Sequence, residues 1–261
     1  MERASPRPLG WLGIVRLGLV QTALGAVVVL TTSTINRVMV VELALPAMLP
    51  GALVALHYAI QVLRPRLGHG SDVGGRRTPW IVGGMAVLAL GGTGAALATA
   101  IMATNTALGV ALAVLAFVLV GVGVGASGTS LLVLLAKRTA PARRPAAATI
   151  VWMMMIFGFI LTAALAGQAL DPFSLTRLVI VSGAVGAFAL LVTVLAVWGV
   201  EGDGRRAAVA EEDAQAAGEP VPFRRALREV WEETQARRFT IFIFVSMLAY
   251  SAQDLILEPF A

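Results

Sequence analysis

The sequence predicts an all-α integral membrane protein, and three observations support this fold class. Hydrophobic residues make up 58% of the 261 residues and charged residues only 13%. The mean hydropathy is +0.84, whereas soluble domains contain less apolar and more charged sequence. The apolar residues also fall into six long runs and the start of a seventh, each near the roughly 20 residues that cross about 30 Å of hydrocarbon.

The elements follow from these runs in chain order. Residues 1–10 form a short basic arm on the cytoplasmic side. We expect no signal peptide there, because the apolar run behind the arm is too long and no small-residue cleavage site follows it. Residues 11–200 form a bundle of six transmembrane helices, predicted at 11–33 with an extension to 41 left open, 47–63, 80–103, 107–136, 146–170 and 176–200.

After the sixth run, residues 201–238 lose the apolar pattern. Their first part is rich in Gly, Ala, Glu and Arg, which is typical of a flexible cytoplasmic linker. From residue 223 to 237, apolar residues recur at helical spacing and predict an amphipathic helix on the inner membrane surface; they are Phe223, Leu227, Val230 and Trp231. Residues 239–261 begin a seventh transmembrane helix, so we expect the second half of a longer protein to be missing.

The 20 lysines and arginines predict the orientation of the bundle. With the N-terminus in the cytoplasm, eighteen of them lie in cytoplasmic segments and only Arg37 and Arg177 lie outside, in agreement with the positive-inside rule. These cations lie at helix ends and not in a stripe along one helix. The formal charge of +5 therefore reflects membrane topology and does not indicate a nucleic-acid partner.

The sequence does not contain the residue patterns of common catalytic sites. It holds no cysteine and two histidines, His57 and His69, without a paired-carboxylate set or a metal-binding motif. The glycine run at 121–128 lies inside an apolar span and lacks the Lys-Ser/Thr of a phosphate loop, which favours helix packing through small residues. We expect no enzymatic activity and no metal site.

Polar side chains within or at the rims of the spans mark candidate binding positions, because each is costly in hydrocarbon. Asn36, Arg37 and Glu42 close the first span near the outer face, where Arg37 and Glu42 form either a snorkelling pair or part of a binding cavity. His57 and Gln61 are four residues apart and share one side of the second helix. His57 is either an interhelical hydrogen-bonding group or an axial ligand to the magnesium of a porphyrin.

Two further segments add candidates. The seventh run repeats the four-residue spacing at Asp254 and Glu258, next to Gln253, and this segment resembles residues 36–42, which suggests two related halves. In the fifth span, residues 152–159 are rich in methionine and aromatic side chains. They either face lipid or form a groove for a pigment or a partner.

A strongly basic segment at 64–80 separates the second and third runs, and we predict a tight turn in water there. Its core residues, in the pattern Gly-x-x-x-Asp-x-x-Gly-Arg-Arg, are Gly68, Asp72, Gly75, Arg76 and Arg77. The pattern resembles the loop between helices two and three of the major facilitator superfamily, except that Val73 stands where that family usually has Arg. The resemblance implies the N-terminal six-helix half of a major-facilitator-like fold, with this loop as a latch between helix ends. The alternative is a basic connector with accidental spacing.

Longer stretches resemble the PucC and LhaA family of light-harvesting complex assembly factors of purple bacteria. They are residues 16–21, 34–46, 71–72 and 253–260, and the segments 49–58 and 73–80 look closest to the LhaA branch. The resemblance implies a chaperone for the core antenna around the reaction centre, in the bacterial inner or intracytoplasmic membrane. Its expected cargo is antenna polypeptides, bacteriochlorophyll a or both, with the polar residues at 36–61 and 253–258 as candidate contacts.

The major-facilitator resemblance leaves a second function open, that of a secondary transporter of a small solute. A pigment-synthesis enzyme is a third alternative, but it would need a nucleophile or an acid-base pair that these residues do not supply. Polar solutes are bound by ionisable groups in the membrane interior, and few are present here. The residues therefore favour an apolar cargo.

Overall fold

The structure, a computed structural model, describes residues 9–73, 76–201 and 223–257; for residues 72, 73, 226 and 247–257 it describes the backbone alone. The chain separates into two compact units, Met1–Ala210 and Glu211–Ala261. The helices of the first unit are α1 (Trp11–Glu42), α2 (Met48–Ile60), α3 (Arg64–Val73), α4 (Thr78–Met102), α5 (Thr106–Arg138), α6 (Arg144–Ala169) and α7 (Leu175–Val197). Those of the second unit are α8 (Phe223–Glu232) and α9 (Thr234–Leu257).

The long helices confirm an all-α membrane protein. The helices α1, α4, α5, α6 and α7 are long and apolar enough to cross a membrane, and the described residues contain no strand. The ends of α4 to α7 lie within three residues of the predicted spans, and α1 takes the longer alternative, since it stays helical to Glu42. The helix α9 starts at Thr234, five residues before the predicted start.

The second predicted span differs in length from the others. The helix α2 has 13 residues, which extend about 20 Å and fall short of about 30 Å of hydrocarbon. A 3₁₀ turn at Gln61–Leu63 follows it and leads directly into α3. The number of six spans therefore stays a prediction, as does the major-facilitator-like arrangement.

The predicted tight turn at 64–80 is wrong for its first ten residues, which form the helix α3. Pro65 is the second residue of that helix, where a missing N–H removes no intrahelical hydrogen bond. Gly70 allows close packing, because an added Cβ atom would lie 3.0 Å from the indole ring of Trp80. The two described glycines of this segment, Gly68 and Gly70, both lie against side chains of other helices, and a local pattern cannot distinguish such packing from a turn.

The glycine run of α5 packs against its neighbours, as predicted. An added Cβ atom at Gly121 would lie 2.9 Å from the carbonyl oxygen of His57 in α2. An added Cβ atom at Gly123 would lie 2.5 Å from the backbone nitrogen of Leu88 in α4. Backbones that approach this closely exclude a side chain, so small residues set the spacing of α2, α4 and α5.

Two apolar clusters fill the first unit. One cluster, which includes Leu17 and Leu88, joins α1, α4, α5, α6 and α7. The other includes Ile35, Leu53 and Phe117 and lies toward the end of the bundle where α1 ends. We call the other end of the bundle, where α1, α4 and α6 begin and α5 and α7 finish, the basic end; its basic residues include Arg16, Arg77, Arg138, Arg143 and Arg144.

In the second unit, α8 covers the first ten residues of the predicted amphipathic segment and ends at Glu232, five residues before the predicted end. In α8, Leu227, Val230 and Trp231 are each about half exposed. On the polar side, Arg225 Nε lies 3.1 Å from Glu229 Oε1 in an ion pair of four-residue spacing. The placement of α8 on a membrane surface stays a prediction.

Candidate functional site: an apolar groove between α1, α6 and α7

A groove with a volume of about 870 Å³ lies between α1, α6 and α7. The helices α6 and α7 each pack along α1 but touch one another little, so α1 forms the floor and the other two helices form the walls. We call this feature the α1–α6–α7 groove. Its lining residues are Leu19, Thr22, Ala23, Ala26, Met153, Met154, Phe157, Gly158, Leu161, Thr162, Leu165, Ala166, Ala169, Val181, Ala184, Val185, Phe188, Ala189 and Val192.

Close contact between α1 and α6 shapes the floor of the groove. An added Cβ atom at Gly158 would lie 2.6 Å from the carbonyl oxygen of Thr22, so only glycine allows the two backbones to meet there. The Thr22 hydroxyl donates a hydrogen bond to the carbonyl oxygen of Met154 over 2.9 Å. Beside it, Gln21 Nε2 donates to Met155 Sδ over 3.2 Å. These contacts fix α1 to α6, and three of the contacting residues, Thr22, Met154 and Gly158, also line the groove.

The chemistry of the lining is almost entirely hydrocarbon. The lining residues include no histidine, carboxylate, amide or cation; their polar groups are the hydroxyls of Thr22 and Thr162. Thr22 already donates its proton to backbone oxygens within the bundle. Such a surface binds by contact area and shape and offers no charge to a polar solute.

The methionine and aromatic run at 152–159 divides between several environments. Met153, Met154 and Phe157 line the groove, whereas Met155 is buried against Gln21. The groove alternative thus describes three of these side chains. Trp152 does not line the groove and is about half exposed, as the lipid-facing alternative predicts.

Two contacts at the basic end join the three helices of the groove. The Arg16 guanidinium donates from Nη2 to the carbonyl oxygen of Trp198 over 2.6 Å, just beyond the end of α7. Cations at a helix C-terminus satisfy carbonyl groups that have no partner within the helix. The Arg143 guanidinium lies 5.4 Å from the centre of the Trp11 ring, which ties the start of α6 to the start of α1 by a cation–π contact.

Glu201, just beyond α7, accepts hydrogen bonds at the start of α4. Its Oε1 accepts from the Arg77 backbone N–H over 2.8 Å, and its Oε2 accepts from the Thr78 backbone N–H over 3.0 Å. Partial burial of the carboxyl alone would raise the pKa of Glu201. A hydrogen bond from the Thr78 side chain, the two backbone hydrogen bonds and the Arg77 charge outweigh burial and hold the pKa below its usual value. Sequence reasoning missed this contact, although Glu201 is the first acidic residue after the sixth span.

The predicted pair on the second helix is present. His57 Nε2 and Gln61 Nε2 lie 2.9 Å apart, within hydrogen-bonding distance, and His57 is only 1% exposed. The interpretation of His57 as a hydrogen-bonding group requires such a contact. Here the contact joins two residues of the same helical segment and not two different helices. His57 does not line the α1–α6–α7 groove, and a pigment ligand at this position stays a prediction.

The polar residues near the end of α1 lie in irregular helix. The segments Leu30–Thr34 and Val38–Glu42 are π-helical and flank Asn36, and such segments often occur at functional sites. Asn36 Nδ2 donates to the carbonyl oxygen of Thr32 over 2.6 Å. Arg37 and Glu42 are exposed, and within the described part of the chain no ion pair joins them.

Only some of the remaining predicted residues lie within the described part of the chain. Gly68 and Arg77 are buried and Arg76 is half-buried. The side chain of Asp72 and the whole of Gly75 lie outside the described residues. The same holds for the side chains of Gln253 and Asp254 in α9 and for the whole of Glu258. The latch at the loop between the second and third spans therefore stays a prediction.

Among the described side chains, no group of three or more His, Cys, Asp or Glu residues is placed to hold a metal ion.

Comparison with known proteins identifies the family. The family model described as PUCC protein matches residues 34–261. A Rhodobacter capsulatus protein named bacteriochlorophyll synthase 44.5 kDa chain is 56% identical over 253 residues, which cover 97% of this chain and 58% of that relative. The protein from the puhA-bchM intergenic region of Rhodobacter capsulatus is 31% identical, over 95% of this chain and 53% of the relative.

Protein PucC of Cereibacter sphaeroides is 30% identical, over 95% of this chain and 55% of the relative. The chain thus spans about half the length of these curated relatives, and no solved structure matches it significantly. The names of the relatives do not separate branches, so the likeness to the LhaA branch stays a prediction. Because the family model matches most of the chain, the chain belongs to the PucC protein family.

Proposed function

We propose that this chain is part of a membrane assembly factor for the bacterial light-harvesting core antenna. It binds antenna polypeptides, bacteriochlorophyll a or both while the antenna assembles around the reaction centre, and it is a chaperone and not an enzyme. The observation that carries this proposal is the α1–α6–α7 groove, a long surface of hydrocarbon that is suited to apolar cargo.

The family supports a role in photosynthetic complex assembly. One relative is named for bacteriochlorophyll synthesis and others are named PucC. Catalysis of pigment synthesis would need a nucleophile or an acid-base pair, and the groove is lined by hydrocarbon and two hydroxyls. We therefore assign cargo binding to this chain. It acts in the inner or intracytoplasmic membrane with its N-terminus and the basic end of the bundle in the cytoplasm.

One observation favours a second candidate, a secondary transporter of a small solute. The helix α1 departs from regular α geometry on both sides of Asn36, and Asn36 Oδ1 is buried with no hydrogen-bond partner among the described residues. Such π-helical segments often occur at functional sites, and transporters form solute sites from helices that depart from regular geometry. Uptake of solute into proteoliposomes that is lost in Asn36→Ala and Arg37→Ala would favour this candidate.

The test of the assembly function is a gentle isolation of the protein from its native membrane. We expect small antenna polypeptides to co-purify, together with the absorption of bacteriochlorophyll if pigment is also cargo. A His57→Ala variant then asks whether His57 holds the pigment, and Gln168→Ala, which changes an exposed polar residue outside the groove, is its control. A preparation with neither polypeptide nor pigment, from cells that assemble the core antenna equally well without the protein, would exclude the proposal.

A further inference from the structure

The length of the α1–α6–α7 groove matches a membrane-crossing object. Its lining on α6 runs from Met153 to Ala169, which is about 24 Å along the helix axis and most of the roughly 30 Å of hydrocarbon. Spread over that length, the volume of about 870 Å³ gives an average cross-section of about 36 Å². A helix with its side chains is about 10–12 Å across, so such a helix would sink about a third to a half of its width into the groove.

The floor and walls of the groove have the composition of a helix-binding surface. Small residues line the groove on α1, at Ala23 and Ala26, and on α6, at Gly158 and Ala166. Small residues let helix backbones approach closely in membranes. On the walls, the bulky side chains recur every three or four residues, so they form ridges parallel to the helix axes. Phe157 and Phe188 are 61% and 67% exposed on opposite walls. A helix from a partner would pack between these ridges.

The same lining argues against a pigment ring or a lipid headgroup as the occupant. A magnesium tetrapyrrole takes a nitrogen or oxygen ligand, and a phosphate takes cations or N–H donors. The lining offers no imidazole, carboxylate, cation or N–H donor; its polar groups are two threonine hydroxyls, and the Thr22 hydroxyl already donates its proton to the Met154 carbonyl oxygen. The occupant is therefore held by apolar contacts alone within the hydrocarbon.

Charge at the basic end adds a second requirement. Arg143 and Arg144 are exposed at the start of α6, and the Arg143 guanidinium is fixed over the ring of Trp11, the first residue of the helix that forms the groove floor. These two cations lie at the start of α6, about 14 Å along the helix axis before the first lining residue, Met153. A helix in the groove that extends to the basic end would reach them, so they favour a partner with acidic residues at that end. We infer that the α1–α6–α7 groove docks a single apolar transmembrane helix whose flank at the basic end is acidic. This inference rests on the proposed function and names which cargo class this surface takes.

The test places a photo-crosslinking amino acid, p-benzoylphenylalanine, at Phe157 or Phe188 of the full chain in a bacterium that makes the antenna. The control position is Leu115 of α5, which is 58% exposed and does not line the groove. We expect illumination to join both groove positions, and not Leu115, to a small antenna polypeptide, identified by mass spectrometry. Equal crosslinking at Leu115 would overturn the inference.

A matched pair of alanines on α7 tests whether the groove must be open. Ala184 lines the groove and is exposed, whereas Ala187 is also exposed on the same helix but does not line it. We expect Ala184→Trp to fill the groove and reduce the yield of crosslinked polypeptide at Phe157 at least about fivefold, while Ala187→Trp leaves it unchanged. Equal yields in both variants would overturn the inference.

Charge reversal tests the basic end. We expect Arg143→Glu combined with Arg144→Glu to lower the crosslinking yield at Phe157 by about fivefold or more. The control is Arg66→Glu, which changes an exposed arginine of a different helix, α3. It should leave the crosslinking yield unchanged. An unchanged yield in the double variant would refute the acidic flank.

The identity of the crosslinked product separates the inference from the proposed function. Products that contain only phospholipid, pigment or a second copy of this chain would overturn helix docking. If such products appear while the core antenna still needs the protein for assembly, the proposed function stands and the inference falls. If the antenna assembles normally without the protein, the proposed function itself falls.

Discussion

At the scale of single residues, Glu201 has the most specific role in the described part of the chain. Its carboxylate satisfies two backbone N–H groups at the start of α4, which would otherwise have no partner within the helix. The same contact holds the segment after α7 next to the start of α4. A single carboxylate therefore links two helix ends that are more than a hundred residues apart in sequence.

We expect Glu201→Gln to destabilise the detergent-solubilised protein by about 1 kcal/mol, the usual size of a lost helix cap. Because the pKa of Glu201 is lowered in the folded protein, its contribution is complete above the unfolded-state value of about 4.3. That contribution is lost as the pH falls through the lower folded-state pKa. Thermal unfolding from pH 6 to pH 3 should therefore show a shallower acid loss in the variant than in the unchanged protein.

The control for this prediction is Glu232→Gln, which changes an exposed carboxylate in α8. Its unfolding temperature should follow that of the unchanged protein across the whole pH range. If Glu201→Gln shows the same pH profile as the control, the cap at α4 contributes nothing to stability.

At the scale of elements, the contact between α1 and α6 is set by glycine. We expect Gly158→Ala to destabilise the protein by about 1–3 kcal/mol, because the added Cβ atom would meet the Thr22 carbonyl oxygen at 2.6 Å. Gly167→Ala on the same helix meets nothing within 4 Å and should be neutral or slightly stabilising, since alanine favours helix. Thermal unfolding in detergent measures both variants; equal effects would contradict the close contact.

At the scale of the whole molecule, the orientation of the bundle is directly testable because the chain contains no cysteine. Ala142 and Ala103 are exposed alanines in turns, the first at the basic end and the second at the opposite end. We expect a membrane-impermeant thiol reagent to label Ala142→Cys only from the cytoplasmic side and Ala103→Cys only from the other side. Labelling in the reverse pattern would invert the proposed topology.

The sequence predicts those parts of the molecule that depend on local pattern. The spans and the His57–Gln61 pair follow from helical periodicity, and the glycine run of α5 follows from the need for small residues between helices. The contact of Glu201 with the start of α4 and the α1–α6–α7 groove join segments far apart in the chain, so no local pattern indicates them. The error at Arg64–Val73 has the same origin, because Gly70 is small to admit Trp80 and not to form a turn.

In the proposed orientation the α1–α6–α7 groove, which runs along three helices long enough to cross a membrane, faces the bilayer, and this sets how it is filled. An occupant reaches the groove by diffusion within the plane of the membrane and stays surrounded by hydrocarbon throughout. Occupancy then depends on the number of candidate molecules per unit of membrane area, not on their concentration in the cell. Synthesis of the occupant near the protein would raise occupancy, whereas growth of the membrane without new cargo would dilute it.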